Sequence, residues 1–572
     1  MKLRLILILI LLAIPISYAR SGTIKLLAVS NPETNASGSI ATLNLEIKEG
    51  SGRVFIDSFP LSKLDTQIST RFAKEVACNF LERDCSNYDF FYTIRADSAL
   101  VGGPSAGAAT TVLTISVLEG IPIDEYATMT GTINTGGIIG PVGSILPKID
   151  AARAAGIKKV LIPKYTEVNS TNYTFYKEKF GIDIIEVSRL EDAVYEFTGK
   201  NYSTNVNFDI SSSYVDTMKQ ISVDMCSRAE DMQSEATVTE ENNTASSLIV
   251  KGKSAISSNQ HYSAASYCFG AALSLRQILL LKTPGKLHDK ILLTKENIQE
   301  FRDAVEKKKL LTVTDLETFM AVTDRLREAD ESLDEAETYL LANNTNATIA
   351  RLAYGIERFN SAYSWSVFFG KPGSEYKIDK PALEESCMKK ISEVEERVQY
   401  VDLYFPSTTK EARDLIKKAY VDHNTGSPEL CLYKASIAKA KVDLIVNSIA
   451  IDEKYADAVI EDRQSTVRSL IAKQNERGIF PIMAYSYYEY ADSLKENDKY
   501  SALLYLEYAL ELGSLDIYFE KRKVELPRID ITSQKTVFLI GIGLGFVIGS
   551  SLTLLLRKRE DKKGKKKQKL SN

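Results

Sequence analysis

Histidine is scarce in this sequence, with three among 572 residues. His261, His288 and His423 all lie beyond residue 200. Unless one of them folds back, the first 200 residues cannot form a Ser-His-Asp triad or a Cys-His pair. They are equally short of nitrogen ligands for a catalytic metal. We therefore expect no metal site there, and a nucleophilic serine would need another residue type as its base.

A nucleotide-binding loop is also missing. The stretch "VKGKSA", which begins at Val250, comes near the loop sequence but has Ser247 where the first glycine is needed. An attached ATPase of this type is therefore not expected, and the sequence indicates no cofactor.

Cysteine is limited to six residues, which fall into pairs close in sequence. The pairs are Cys78 with Cys85, Cys226 with Cys268, and Cys387 with Cys431. This usage suits an oxidising exterior, although spacing alone leaves the connectivity open.

Both ends of the chain carry membrane signals. Residues 1–19 have a basic start, an apolar stretch and a small residue at Ala19, which predict a secretory signal peptide; an uncleaved anchor is the alternative. Residues 536–556 contain no charge and are long enough for a transmembrane helix. The tail, 557–572, has nine Lys and Arg against two acids, which predicts a cytoplasmic C-terminus and an extracytoplasmic bulk.

The charge balance argues against nucleic-acid partners. The formal net charge is −4 although the basic tail is included, so the outer part of the chain is more acidic than the whole. A phosphate backbone would be repelled by such a surface.

The outer part divides into two regions. Residues 20–200 mix strand patterns such as "ATLNLEIKEG" with helical ones such as "DTQISTRFAKEVACNFL", which predicts an α+β domain, with α/β as the alternative. Residues 207–530 show long amphipathic segments and predict an all-α region. A helical bundle and an irregular solenoid both remain open.

A serine precedes an unusually apolar helix in "GGPSAGAATTVLTISVLEG". Ser105 follows Gly102, Gly103 and Pro104, which favour a tight turn. Ser105 could simply cap a buried helix, or it could be a nucleophile whose oxyanion is held by the free N–H groups of that turn and helix start.

A lysine could supply the missing base. Lys148 opens the helix in "GPVGSILPKIDAARAAGIKKVLIP", next to the apolar residues Ile149, Ala151 and Ala152. By itself it could equally be a solvated first-turn lysine. A buried lysine would have a lowered pKa and could act as a neutral base.

Taken together, these stretches resemble the proteolytic domain of the Lon protease family, of the archaeal type, over about 21–200. The resemblance places the nucleophile at Ser105 in "GPSAG", a supporting threonine at Thr130 in "MTG", and the catalytic lysine at Lys148, 43 positions after the serine. It implies a Lon-type fold and a Ser-Lys dyad. Gly102 stands where the family usually has an acidic residue.

The sequence thus predicts a membrane-anchored, ATP-independent serine endopeptidase that acts on extracytoplasmic or membrane proteins. Its expected partners are polypeptide substrates and, through the C-terminal helix, the membrane; a homo-oligomer is possible for this family. The alternatives are a catalytically silent surface scaffold or binding protein and an enzyme that cuts only its own linker.

Overall fold

The computed structural model describes residues 20–30, 37–59, 61–96, 103–166, 170–202, 211–237, 244–448, 451 and 453–522. The described residues from Arg20 to Lys521 lie in one compact unit. The predicted signal peptide, transmembrane helix and basic tail lie outside the described residues and stay predictions.

The first region alternates strands and helices, as its changing hydrophobic period predicts. Its elements are β1 Arg20–Ser30, β2 Ser37–Glu49, β3 Val54–Phe59, α1 Leu64–Phe80, β4 Tyr88–Ala96, α2 Gly107–Glu119, β5 Ala127–Met129, β6 Thr132–Asn134, β7 Ile138–Gly140, α3 Ile145–Ala154, β8 Lys159–Pro163, α4 Ser170–Phe180, β9 Asp183–Val187 and α5 Leu190–Thr198. A 3-10 turn, Pro104–Ala106, leads into α2, and another, Thr135–Gly137, joins β6 to β7.

Seven of these strands form one mixed sheet in the order β3-β4-β2-β1-β5-β8-β9. The pairs β1–β2 and β2–β4 are antiparallel, whereas β3–β4, β1–β5, β5–β8 and β8–β9 are parallel. The domain is therefore α/β with a mostly parallel sheet, not the expected α+β fold. The reason is that helices α3 and α4 cross over between β5, β8 and β9, and such crossovers return the chain in the same direction.

Helix α2 lies at the centre of the larger core. All its residues from Gly107 to Leu118 are buried, and it ends at Gly120 with a left-handed φ of 69°. It packs with α1 and α5 against the sheet, while a smaller core around Ile149 and Val160 lies under α3 and α4. The sheet thus has helices on both faces, and the wholly apolar character of α2 follows from this burial.

The second described region is all-α, as its amphipathic periodicity predicts. Its helices are α6 Ser212–Ala236, α7 Thr244–Ser257, α8 His261–Leu281, α9 Leu287–Glu306, α10 Val313–Leu341, α11 Thr345–Trp365, α12 Lys380–Tyr404, α13 Lys410–Asn424, α14 Pro428–Ser448, α15 Ala456–Glu476, α16 Ile482–Leu494 and α17 Lys499–Leu512. Most of their buried apolar residues form one extensive core, and a smaller core lies between α6, α7 and α8. Helix α12 packs on α1 of the α/β domain, and α15 and α17 contact the turn Thr135–Gly137.

Three disulfides join the cysteine pairs that are neighbours in sequence: Cys78–Cys85, Cys226–Cys268 and Cys387–Cys431. The second of them ties α6 to α8. Among the described helices, α8 is the one whose length and composition would suffice to cross a membrane. Its Cys268, Ala271 and Leu275 are fully buried against neighbouring helices, as in a core helix.

Candidate active site

The turn that carries Ser105 depends on two glycines. Gly103 has a φ of 105°, a backbone conformation that side chains disfavour. At Gly107, an added Cβ would lie 2.7 Å from Ser69 Oγ and 3.1 Å from Ile133 Cγ2. The two glycines therefore allow the turn to bend sharply and to sit tightly on α1 and β6, with Ser105 partly exposed at the head of α2.

Backbone hydrogen bonds fix this turn to the segment between β5 and β6. The Gly131 N–H donates to the Ser105 carbonyl at 2.9 Å, and the Ala108 N–H donates to the Gly131 carbonyl at 3.1 Å. The Thr130 hydroxyl also donates to the Ser105 carbonyl, at 3.4 Å. Strands β5 and β6 are therefore separated by Thr130 and Gly131, which bond to the turn.

Lys148 lies in the first turn of α3, with its side chain 4% exposed. Its Nζ donates to the Thr130 hydroxyl at 3.1 Å. Burial lowers the pKa of Lys148 from 10.5 to about 8, and no described carboxylate is close enough to raise it again. At neutral pH a useful fraction of this amine is therefore unprotonated, as a general base requires.

Two hydrogen bonds connect these groups in a row. The Lys148 amine donates to the Thr130 hydroxyl, and the Thr130 hydroxyl donates to the Ser105 carbonyl. In the described structure the amine bonds to Thr130 and not to the Ser105 hydroxyl. Proton transfer from Ser105 would therefore need the lysine amine to come within hydrogen-bond distance of the Ser105 hydroxyl. The arrangement suits an activated serine with a lysine base.

Comparison with known proteins identifies the type of domain around these residues. Residues 82–197 match the model of the Lon protease (S16) C-terminal proteolytic domain. The first part of this chain carries a Lon-type proteolytic domain. Domains of this family are serine peptidase domains, and the matched segment contains Ser105, Thr130 and Lys148.

Several named relatives align with the Lon-type domain. They include the archaeal Lon protease of Pyrococcus abyssi, 39% identical over 111 residues (19% of this chain, 11% of the relative), and Lon protease 2 of Bacillus subtilis, 38% over 96 residues (17% and 16%). The Lon protease of Clostridium beijerinckii is 33% identical over 172 residues (29% and 21%). The chain thus covers about a fifth or less of the length of these relatives.

The structure also locates other residues that the sequence singled out. Gly103 lies in the turn before Ser105, whereas Gly102 falls outside the described residues. His261 is buried at the start of α8, and within the described chain no histidine bonds to Ser105, Thr130 or Lys148. The described residues also hold no cluster of three metal-ligating side chains.

Helix α1 supports the turn of the Lon-type domain in a way that the sequence did not reveal. The Thr66 hydroxyl donates to the Gly103 carbonyl and the Ser69 hydroxyl to the Pro104 carbonyl, each at 3.4 Å. Two hydroxyl residues three positions apart on one helix face were the available signal.

A cavity of about 170 Å³ lies elsewhere, between the Lon-type domain and the helical region. Its lining includes Phe72, Thr135, Glu393 and Lys473, and none of the predicted site residues. Ser105 remains the candidate site because its surroundings, and not a cavity, suit the chemistry of a nucleophilic serine.

Burial of Lys148 also has a cost in stability, which gives a first prediction. The pKa of its amine is about 8 in the folded chain and 10.5 in the unfolded one, so the folded state binds fewer protons between these values. Stability is therefore reduced by roughly 3 kcal/mol below pH 8, and the loss disappears as the pH rises towards 10.5.

Replacing Lys148 with Met should consequently raise the free energy of unfolding at pH 7 by about 2–3 kcal/mol. The gain should shrink when denaturant titrations of both proteins are repeated at pH 10. Lys158→Met, at an exposed position ten residues along, should change neither value. A Lys148→Met protein less stable than wild type at pH 7 would contradict the assignment of a costly buried amine.

Proposed function

We propose that this chain is a membrane-anchored serine endopeptidase that needs no nucleotide and acts on extracytoplasmic or membrane polypeptides. The observation that carries the proposal is the buried Lys148 amine bonded to Thr130, directly beside the backbone of Ser105, in a Lon-type domain.

The chemistry follows from these positions. The Ser105 hydroxyl attacks the substrate carbonyl while the neutral Lys148 amine accepts its proton. The backbone N–H of Ser105 lies in the first turn of the 3-10 segment Pro104–Ala106, where the helix offers no carbonyl to accept it, so it is suited to hold the oxyanion. Lys148 then gives its proton to the leaving amine, and water hydrolyses the acyl-enzyme.

Thr130 has a supporting role in this scheme. Its hydroxyl accepts from the Lys148 amine and donates to the Ser105 carbonyl, so it keeps the lysine close to the nucleophile. It exchanges no proton in this scheme and acts by orienting Lys148, so we regard it as a positioning residue.

Independence from nucleotide is argued from the sequence. No Walker loop is found in the 572 residues, and the stretch most similar to one has Ser247 where the first glycine of the loop is needed. A peptidase without an unfolding motor can cut only what thermal opening exposes. Its substrates are then unfolded or locally unfolded chains.

Membrane attachment and sidedness are argued from 1–19, 536–556 and 557–572. The apolar 536–556 and the basic tail favour a single span with Ser105 outside the cytoplasm. In sealed inverted vesicles, an added protease should therefore digest the tail and leave the Lon-type domain intact. The reverse pattern would overturn the topology.

Cleavage of folded substrates should track their stability. With the full chain and a substrate destabilised by about 1.4 kcal/mol, the rate should rise roughly tenfold if opening and closing are fast. The test compares a series of substrate variants with and without ATP, using Ser105→Ala enzyme as the blank. A rate that ATP stimulates, or one that ignores substrate stability, would refute a motorless peptidase.

A labelling experiment on the full chain distinguishes an enzyme from a catalytically silent binding module. A fluorophosphonate probe should label Ser105 of the wild-type chain, and mass spectrometry of the labelled peptide identifies the residue. A chain that neither reacts with the probe nor cleaves unfolded protein would favour the scaffold function.

A further inference from the structure

A buried polar cluster joins the Lon-type domain to the helical region. We call it the Asn134 cluster; its members are Asn134, Thr135, Arg397, Lys439, Asp443 and Asn447. Asn134 ends strand β6, Arg397 lies on α12, and the last three lie on α14. Within the described chain Arg397 is 6% exposed and Asp443 fully buried, so these contacts are shielded from water.

Arg397 makes the closest connection to the strand. One terminal nitrogen donates to the Ile133 carbonyl at 3.0 Å and to Asn134 Oδ1 at 3.1 Å. Its guanidinium stacks 4.0 Å above the ring of Phe72, on helix α1. Asp443 lies 3.2 Å from Arg397 Nε as an ion pair that is not aligned as a hydrogen bond.

Two further members of helix α14 hold the same end of β6. Asn134 Nδ2 donates to Asn447 Oδ1 at 2.5 Å. The Lys439 amine donates to the Thr135 hydroxyl and, at 3.1 Å, to Asp443. Together these buried hydrogen bonds hold the end of β6 in place, because breaking any one of them would leave a buried polar group without a partner.

Strand β6 begins only two residues after Thr130. Gly131 is fixed to the Ser105 turn at one end, and Asn134 is fixed to the helical region at the other. The position of the Thr130 hydroxyl is therefore set from both sides. A shift of β6 would move Thr130 away from Lys148, whose amine has no other partner in the described chain.

We propose that Arg397 is a positioning residue of the peptidase, which acts through strand β6 to keep Thr130 against Lys148 and Ser105. The helical region is then part of the catalytic assembly and not only a handle for substrates or partners. This inference rests on the proposed peptidase function.

The competing explanation is that the Asn134 cluster only stabilises the contact between the Lon-type domain and the helical region. Both explanations predict a loss of stability when Arg397 is changed, so stability cannot separate them. A positioning role predicts in addition that the environment of Lys148 changes, because a displaced Thr130 would admit water to the amine.

The test compares full chains that carry Arg397→Gln and Arg325→Gln. Arg325 is a matched control: it stacks on Trp365 at 4.5 Å and donates to the Ala321 carbonyl and to Ser361, all within the helical region. Arg397→Gln should fold because Asp443 keeps Lys439 as its partner.

We expect Arg397→Gln to lower kcat roughly 10- to 100-fold and to move the midpoint of the rate profile to higher pH. Arg325→Gln should keep both wild-type values. Arg397→Lys, which retains the charge and can reach one acceptor, should recover part of the rate. An Arg397→Gln enzyme with wild-type kcat and midpoint would overturn the inference.

Two further measurements allow the inference to be tested even if the peptidase is inactive or a variant does not fold. The pH midpoint of Lys148 acylation by an amine-specific reagent, read by mass spectrometry, should rise in Arg397→Gln and does not require peptidase activity. Should Arg397→Gln not fold, Asn447→Ala removes one contact to Asn134 and should move the midpoint in the same direction; an unmoved midpoint would refute the role. A wild-type chain without activity would refute the proposed function alone.

Discussion

Ser105→Ala and Lys148→Met should each lower the rate of peptide-bond cleavage by at least about 10⁴-fold, because each removes half of one activated nucleophile. Unfolded, fluorescently labelled protein is the substrate, and burst analysis separates acylation from turnover. The double variant should be no slower than either single one, since members of such a unit are strongly non-additive.

Matched controls exist in the same domain. Ser116→Ala removes a buried hydroxyl from α2, where it donates to the Ile121 carbonyl, and Lys158→Met removes an exposed amine. Both should cleave at close to the wild-type rate. Cleavage that survives in the Ser105→Ala, Lys148→Met double variant would show that the dyad is not the nucleophilic unit.

The cleavage rate should fall about 500-fold between pH 8 and pH 5, with a slope that approaches one decade per pH unit below about pH 7. The cause is protonation of Lys148, whose pKa of about 8 is low because its amine is buried. Only the neutral amine can accept the Ser105 proton, so activity is lost as the pH falls through this value and is constant above it.

Other buried acids titrate near the same pH and must be separated from Lys148. Burial raises the pKa of Glu507 to about 7, and Glu507 accepts from Asn447, which contacts Asn134. Glu507→Gln should leave the midpoint at about 8 if Lys148 is the base. A midpoint that follows Glu507, or a rate that is flat from pH 5 to 8, would exclude the lysine.

Local patterns allowed much of the Lon-type domain to be predicted. Alternation in "ATLNLEIKEG" indicated β2, and the apolar face of "DTQISTRFAKEVACNFL" indicated α1. The direction of strand pairing was less accessible because it depends on which connections cross over, which no single segment displays. The mostly parallel sheet therefore emerged only from the structure.

The candidate site could likewise be predicted only in part from the sequence. Ser105, Thr130 and Lys148 could be chosen from short motifs, but whether Lys148 is buried depended on how α3 packs. No sequence pattern singled out Arg397 or Asn447 as part of the site. Each is one polar residue on an amphipathic helix, and a helical pattern does not say which distant strand its polar face will meet.

The long sequence separation within the Asn134 cluster has a consequence during synthesis. Arg397 and Asn447 follow their partner Asn134 by 263 and 313 positions. At about 5–20 residues per second, the ribosome needs roughly 15 to 60 s to supply the later one. Throughout that interval the nascent chain holds Ser105 and Lys148 without the contacts that fix β6, so under our proposal it becomes fully active only after α12 and α14 have been made.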